Sequence, residues 1–145
     1  MDKYYTINEI AMFTGLTTRT IRTYLKMNIL SGEKIDGTWQ FTEEDVTAFL
    51  KNPYVKTSVE AKQNAIVYDA LARTDNKENE SCVILNLNIS DEESQQIIQF
   101  FNRKLNSGIQ GNMRFHYAKS GSHVRIILSG TEDIIIDILK EYYHA

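Results

Sequence analysis

The stretch Leu16-Thr17-Thr18-Arg19-Thr20-Ile21-Arg22-Thr23-Tyr24-Leu25-Lys26-Met27-Asn28 decides how this chain is read. Thr17 is an N-cap candidate, opening a helix from Thr18 to about Met27. Ile21 and Leu25 lie four apart and face inward, with Leu16 just ahead of the cap. Arg19, Arg22, Thr23 and Lys26 fall mostly off that face. Asn28 can end the helix in the left-handed conformation. From Thr17 to Asn28 there are three cations and no acid. A short, basic, hydroxyl-rich helix suits a nucleic-acid groove: Arg and Lys neutralise phosphates, and hydroxyls and Arg reach base edges. The same pattern also fits a solvated face whose cations serve solubility, so the flanking sequence has to separate the two.

Upstream, Thr6-Ile7-Asn8-Glu9 is a capping box that opens a helix with Ile7, Ile10, Ala11 and Met12 on its apolar side. Gly15 breaks that helix. Two helices joined by a short Gly-containing turn make a helix-turn-helix. Downstream, Asp36-Gly37 between short alternating runs is a hairpin signal. Thr42-Glu43-Glu44-Asp45 then caps another helix, with Val46, Phe49 and Leu50 as its stripe. The order helix, turn, basic helix, hairpin, helix predicts a winged helix-turn-helix.

On these residues the segment 5–50 resembles the DNA-binding domain of MerR-type transcriptional regulators. The run Leu16–Leu30 follows the family pattern V-S-x-R-T-I-R-Y-Y-E-x-x-G-L-L, and Gly37–Val46 parallels G-Y-R-x-Y-S-E-E-D-V. Thr23 stands where the family usually carries the first Tyr of a pair, and Tyr24 keeps the second. Trp39 replaces the usual wing Arg, and the Gly-x-Trp-x-Phe wing is closer to excisionase-like relatives. The resemblance implies that Arg19, Arg22 and Tyr24 contact an operator, with Thr17 and Thr18 at the helix entrance. The residues themselves add Thr23 and Lys26 on the helix and Lys34 in the wing. Trp39 completes the candidate set, although a wing tryptophan more often anchors its hairpin on the core than touches a ligand. Tyr24 has a similar alternative as a packed ring.

From Thr57 to Arg73 the sequence is free of Gly and Pro and predicts a linking helix, with Ala61, Ala65, Tyr68 and Ala72 as one stripe and Val67 and Leu71 beside it. Pro53 ends the helix before it. Residues 73–81 are polar and read as a linker or loop. In the tail, Val83, Leu85, Leu87 and Ile89 alternate with Ile84, Asn86 and Asn88, as in a half-buried strand. Ser90–Glu93 caps a helix with Ile97, Ile98, Phe101 and Leu105 inward, ended by Asn106-Ser107-Gly108. Met113, Phe115 and Tyr117, then Val124, Ile126 and Leu128, mark two more strands. Thr131–Asp133 opens a last helix with Ile135, Ile138, Leu139 and Tyr142 facing in.

The fold class is therefore α+β: a winged helix-turn-helix over 1–56, a linking helix and polar linker over 57–80, and a βαββα domain, a ferredoxin-like fragment, over 81–145. Both tail helices are expected on one sheet face. Asn86, Asn88, Arg114, His116 and Arg125 would project from the other, either as a wet sheet face or as a site for an anionic ligand or partner. Small domains of this size bury a limited share of their surface, so a homodimer is expected, through the tail sheet or the linking helix. Its two basic helices would meet half-sites about one DNA turn (~34–36 Å) apart.

Composition bounds the function. With 42% hydrophobic and 24% charged residues, the 145-residue chain reads as globular, and 7 Gly with 1 Pro excludes collagen-like sequence. The net charge of −3 gives no general affinity for nucleic acid, so double-stranded DNA as partner rests on local charge. No apolar run spans a bilayer and the first residues are too polar for a signal peptide, which predicts a cytoplasmic protein, nucleoid-associated in a bacterium if the resemblance holds. Cys82 alone cannot form an internal disulfide, and it reads as a core thiol. His116, His123 and His144 lack metal-site spacing. No phosphate loop, H-E-x-x-H or G-x-S-x-G occurs, so the chain reads as a non-enzyme without cofactor. A DNA-binding regulator with a tail that dimerises or senses a small-molecule effector comes first. An excisionase-like or architectural DNA-binding protein of a recombination or segregation complex comes second. A ligand- or protein-binding module without DNA function comes third.

Overall fold

A computed structural model describes residues 4–105 and 113–144. The protein is mixed α and β, and it divides into two compact units, Met1–Lys62 and Gln63–Ala145. The first unit holds α1 (Ile7–Thr14), α2 (Thr18–Lys26), β1 (Glu33–Ile35), β2 (Thr38–Gln40) and α3 (Glu43–Lys51). α4 (Pro53–Ala72) begins in the first unit and ends in the second. The second unit adds β3 (Glu80–Asn88), α5 (Asp91–Leu105), β4 (Met113–Ser120), β5 (His123–Thr131) and α6 (Glu132–His144).

Local chemistry sets the ends of the first unit's helices. Thr6 Oγ1 accepts from the Glu9 N–H, and Glu9 Oε1 accepts from the Thr6 N–H, both at 3.1 Å. Thr42 and Asp45 repeat this reciprocal box ahead of α3. Gly15 closes α1 at φ 74°, and Asn28 follows α2 at φ 58°. Thr14, inside the core, donates its hydroxyl to the Ile10 carbonyl at 2.8 Å and accepts from the Leu16 N–H. Ile10, Phe13, Ile21, Leu30, Phe41 and Phe49 fill the centre, each burial stabilising by roughly 1.5–3 kcal/mol. Tyr5 and Phe41 exchange two backbone hydrogen bonds, which tie the chain entry to the hairpin.

Pro53 both stops one helix and starts the next. Asn52 caps α3, and its Oδ1 accepts from the Tyr54 N–H at 2.9 Å at the head of α4. Pro53, which has no N–H to satisfy, sits at the first helical position. The helix therefore begins four residues earlier than Thr57, where the sequence placed it.

In the second unit the sheet order is β3-β5-β4, with both neighbouring pairs antiparallel. Register puts Val83, Leu128 and Phe115 in one row and Leu85, Ile126 and Tyr117 in the next. This face meets the tail helices. The Phe101 ring lies 4.9 Å from that of Phe115 and 5.9 Å from that of Tyr142. The Tyr117 hydroxyl donates to the buried Ser94 Oγ at 3.3 Å, and Lys104 pairs with Glu141 between α5 and α6. Ile97, Ile98, Ile135 and Ile138 are buried as expected, joined by Phe100. The expected stop at Asn106–Gly108 lies outside the described residues.

Three expectations are corrected at the opposite face, whose rows are Cys82–Ser129–Arg114, Ile84–Ile127–His116 and Asn86–Arg125–Ala118. The sequence predicts five polar side chains projecting outward from it. His116 is instead 0% exposed, as its row neighbour Ile127 nearly is. The cause is the C-terminal half of α4, which lies against this face: Asp69 Oδ2 pairs with Arg114 Nη1 at 2.6 Å, and Ile66 is buried. The stripe assigned to that helix is covered only in part. Ala65 and the adjoining Val67 are half-buried, but Ala61, Tyr68, Leu71 and Ala72 are exposed, while Val55 and Ile66 are buried with Val59 and Ala70 half-buried. Alanine spacing misled because the larger β-branched residues have more apolar area to hide. Cys82 is half-buried on this outer face, not a core thiol.

Candidate nucleic-acid interface

α2 is built to present one side. Thr17 caps it, accepting from the Thr20 N–H at 3.1 Å and donating to Thr20 Oγ1 at 3.0 Å. Ile21 is fully buried and Leu25 half-buried, which fixes the helix rotation. Thr18, Arg19, Arg22, Thr23 and Lys26 are all exposed. Steps of three and four residues connect these five into one contiguous stripe. Thr23 returns its hydroxyl to the Arg19 carbonyl at 3.1 Å, so in the free protein this hydroxyl is engaged locally.

The electrostatics of the stripe are simple. Arg19, Arg22 and Lys26 have no ion pair among the described residues, and α2 contains no acidic side chain. The acid-rich turn Glu43–Asp45 stands at the start of α3, where the helix macrodipole favours it and Asp45 serves the cap. Three exposed cations on a single rod about two turns long attract anions spaced along a backbone.

The hairpin of β1 and β2 turns through Asp36 at φ 51° and Gly37 at φ 80°, the positive pair that a two-residue type I′ turn requires. Its register sets Lys34 directly across from Trp39. Lys34 is exposed, while the Trp39 ring stacks on the buried Phe41 at 6.2 Å between centroids and 13° between planes. Trp39 thus anchors the hairpin on the core. Tyr24 is half-buried with its ring edge-to-face on Phe49 at 5.6 Å, a packing role that still leaves part of the side chain at the surface.

The candidates therefore fall into two groups. Thr18, Arg19, Arg22, Thr23 and Lys26 share the stripe. Thr17, Tyr24 and Trp39 hold α2 and the hairpin in place, and Lys34 stands exposed on the hairpin. The sequence reading passed over Met27, exposed just past the stripe, and Tyr54, exposed at the head of α4. Met27 is a C-cap, so helical periodicity gave no warning of its exposure. The Asn52-Pro53 start signal could have placed Tyr54 in a first helical turn.

Among the described residues, no helix is long and apolar enough to cross a membrane. Searches of curated proteins and of solved structures return no match to the chain. Residues 5–51 match the family model of the MerR HTH family regulatory proteins, so the first unit carries a MerR-type helix-turn-helix.

Proposed function

We propose that the protein is a sequence-specific, dimeric DNA-binding transcriptional regulator. α2 enters the major groove with Arg19, Arg22 and Lys26 on phosphates and base edges and Thr18 and Thr23 beside them. Lys34 tracks the adjacent backbone from the hairpin, while Thr17, Tyr24 and Trp39 position these elements. The second unit, a ferredoxin-like fragment, supplies dimerisation or effector sensing. The observation that carries this reading is the α2 stripe: three exposed cations with no carboxylate partner among the described residues. The family match over residues 5–51 supports the same partner.

The test is duplex affinity against salt. Each phosphate contact contributes about −0.9 to the slope of log K on log salt. Arg19→Ala with Arg22→Ala should flatten that slope by about 2. An unchanged slope, with helicity intact by circular dichroism, removes α2 from the interface. Selection of bound fragments from genomic DNA then separates regulation from architecture: palindromes upstream of genes support a regulator, and sites at recombination ends support the excisionase-like reading.

A further inference from the structure

The sheet of the second unit has two edges, and they differ in kind. β4 carries Arg114 and Lys119, paired with Asp69 and Asp91 at 2.6 Å each. Charges of this sort are what soluble proteins place on an edge to keep other strands away. β3 carries one such charge, Glu80, and that stands at its first residue. From Ser81 to Asn88 it contains no charged residue, no Pro and no Gly. It is nine residues long and pairs with β5 without a break from Glu80↔Thr131 to Asn88↔His123. Among the described residues, no strand pairs along its other side.

Apolar surface flanks the same edge. Ile84 is 46% exposed on the face that α4 partly covers, and Leu71 and Tyr68 of α4 are 80% and 74% exposed. Leu71 lines a cavity together with Ser81 and Cys82 of β3 and Ser129 of β5, which places it against the sheet at β3. Tyr68 is one helical turn away on the same side.

From these features we infer that the β3 edge is the dimer interface, occupied by β3 of a second copy running antiparallel about a two-fold axis at Ile84. The strand is complementary to itself in this register. All nine residues pair, and any shift of the axis along the strand shortens the ladder. Ile84 meets Ile84 of the second copy, Val83 faces Leu85, Cys82 faces Asn86 and Glu80 faces Asn88. Glu80, the strand's one charge, already pairs with Arg73 at 3.2 Å. Its two copies lie at opposite ends of the ladder, so no like charges meet. Residues of equal parity pair, which keeps both copies' α5 and α6 on one side of a continuous six-stranded sheet. Leu71 and Tyr68 then extend the apolar contact on the other side. This rests on the dimeric part of the proposed function and gives it an interface.

Sedimentation velocity of the full chain should give twice the 16.7 kDa monomer mass. Ile84→Lys places like charges together at the axis and should weaken the dimer by roughly a hundredfold. Its circular dichroism should be unchanged, since position 84 is exposed in one copy. The double variant Cys82→Ser, Ile84→Cys has a single thiol at the axis and should oxidise to a disulfide-linked dimer, whereas Cys82→Ser alone should not. A monomeric wild type overturns the inference, as does a dimer that resists Ile84→Lys or a thiol at 84 that fails to cross-link. A dimer of this kind that ignores DNA instead overturns the DNA-binding reading and leaves the interface standing.

Discussion

His116 is a polar ring inside an apolar layer. Among the described residues, neither Nδ1 nor Nε2 has a hydrogen-bond partner. Burial, reinforced by the Arg125 guanidinium, pushes its pKa down from 6.5 to about 4. Arg114 lies on the same strand face but is neutralised by Asp69 of α4, whereas Arg125 has no ion pair among the described residues. Between these two values the unfolded chain binds a proton that the folded protein refuses, so stability rises with pH through that window. Stability from this group is complete above pH 6.5 and falls as pH drops toward 4, by about 3 kcal/mol in all. His116→Leu should abolish this component. Urea unfolding at pH 4.5 and pH 8 reads it: the wild type should lose more than the variant, and at pH 8 the variant should match or exceed it, because its buried unpaired nitrogens are gone. Parallel losses would mean that the ring reaches water. The sequence placed His116 on the correct strand face by alternation. It could not show that the face was covered, because the covering helix comes from more than forty residues upstream.

At the scale of elements, what was legible followed from chemistry within four residues. Thr6 with Glu9, Thr42 with Asp45, Asn28 and Asp36-Gly37 each satisfy or redirect their own backbone, so their reading needs no distant partner. The α2 stripe was legible for the same reason. What was missed depends on neighbours from afar: which side of α4 is buried, and why Gly32 is a glycine. Gly32 has Phe41 against it. A Cβ there would stand 2.4 and 2.5 Å from two Phe41 ring carbons and 2.8 Å from the Gln40 carbonyl oxygen. Phe41 is fully buried and stacked under Trp39, so it has little room to give way. Gly32→Ala should therefore cost about 1–3 kcal/mol, the usual penalty of overpacking. Trp39 is the only tryptophan, and its emission should shift to the red as the hairpin loosens. An unaltered urea midpoint and spectrum would show that the ring moves aside freely.

For the whole molecule, a net charge of −3 has to be reconciled with a polyanionic partner. Screening does this: at physiological salt, charges further apart than about 8 Å are largely hidden from one another. Local arrangement then outweighs the sum, and the cations of the two units differ in what they already touch. Arg114 is held by Asp69, and Arg125 donates from Nε to Asn86 Oδ1 at 2.8 Å. Arg19 and Arg22 have no such partners among the described residues. Binding DNA with Arg114 would first mean giving up an ion pair, whereas Arg19 and Arg22 release only water and counterions. Arg114→Ala and Arg125→Ala should accordingly leave both affinity and salt slope for a given duplex unchanged, measured by fluorescence anisotropy beside the Arg19→Ala, Arg22→Ala protein. If either variant flattens the slope by as much as an α2 arginine does, about 0.9 per contact, the nucleic-acid footprint extends onto the sheet of the second unit. The division of labour between a reading unit and a pairing unit would then be lost.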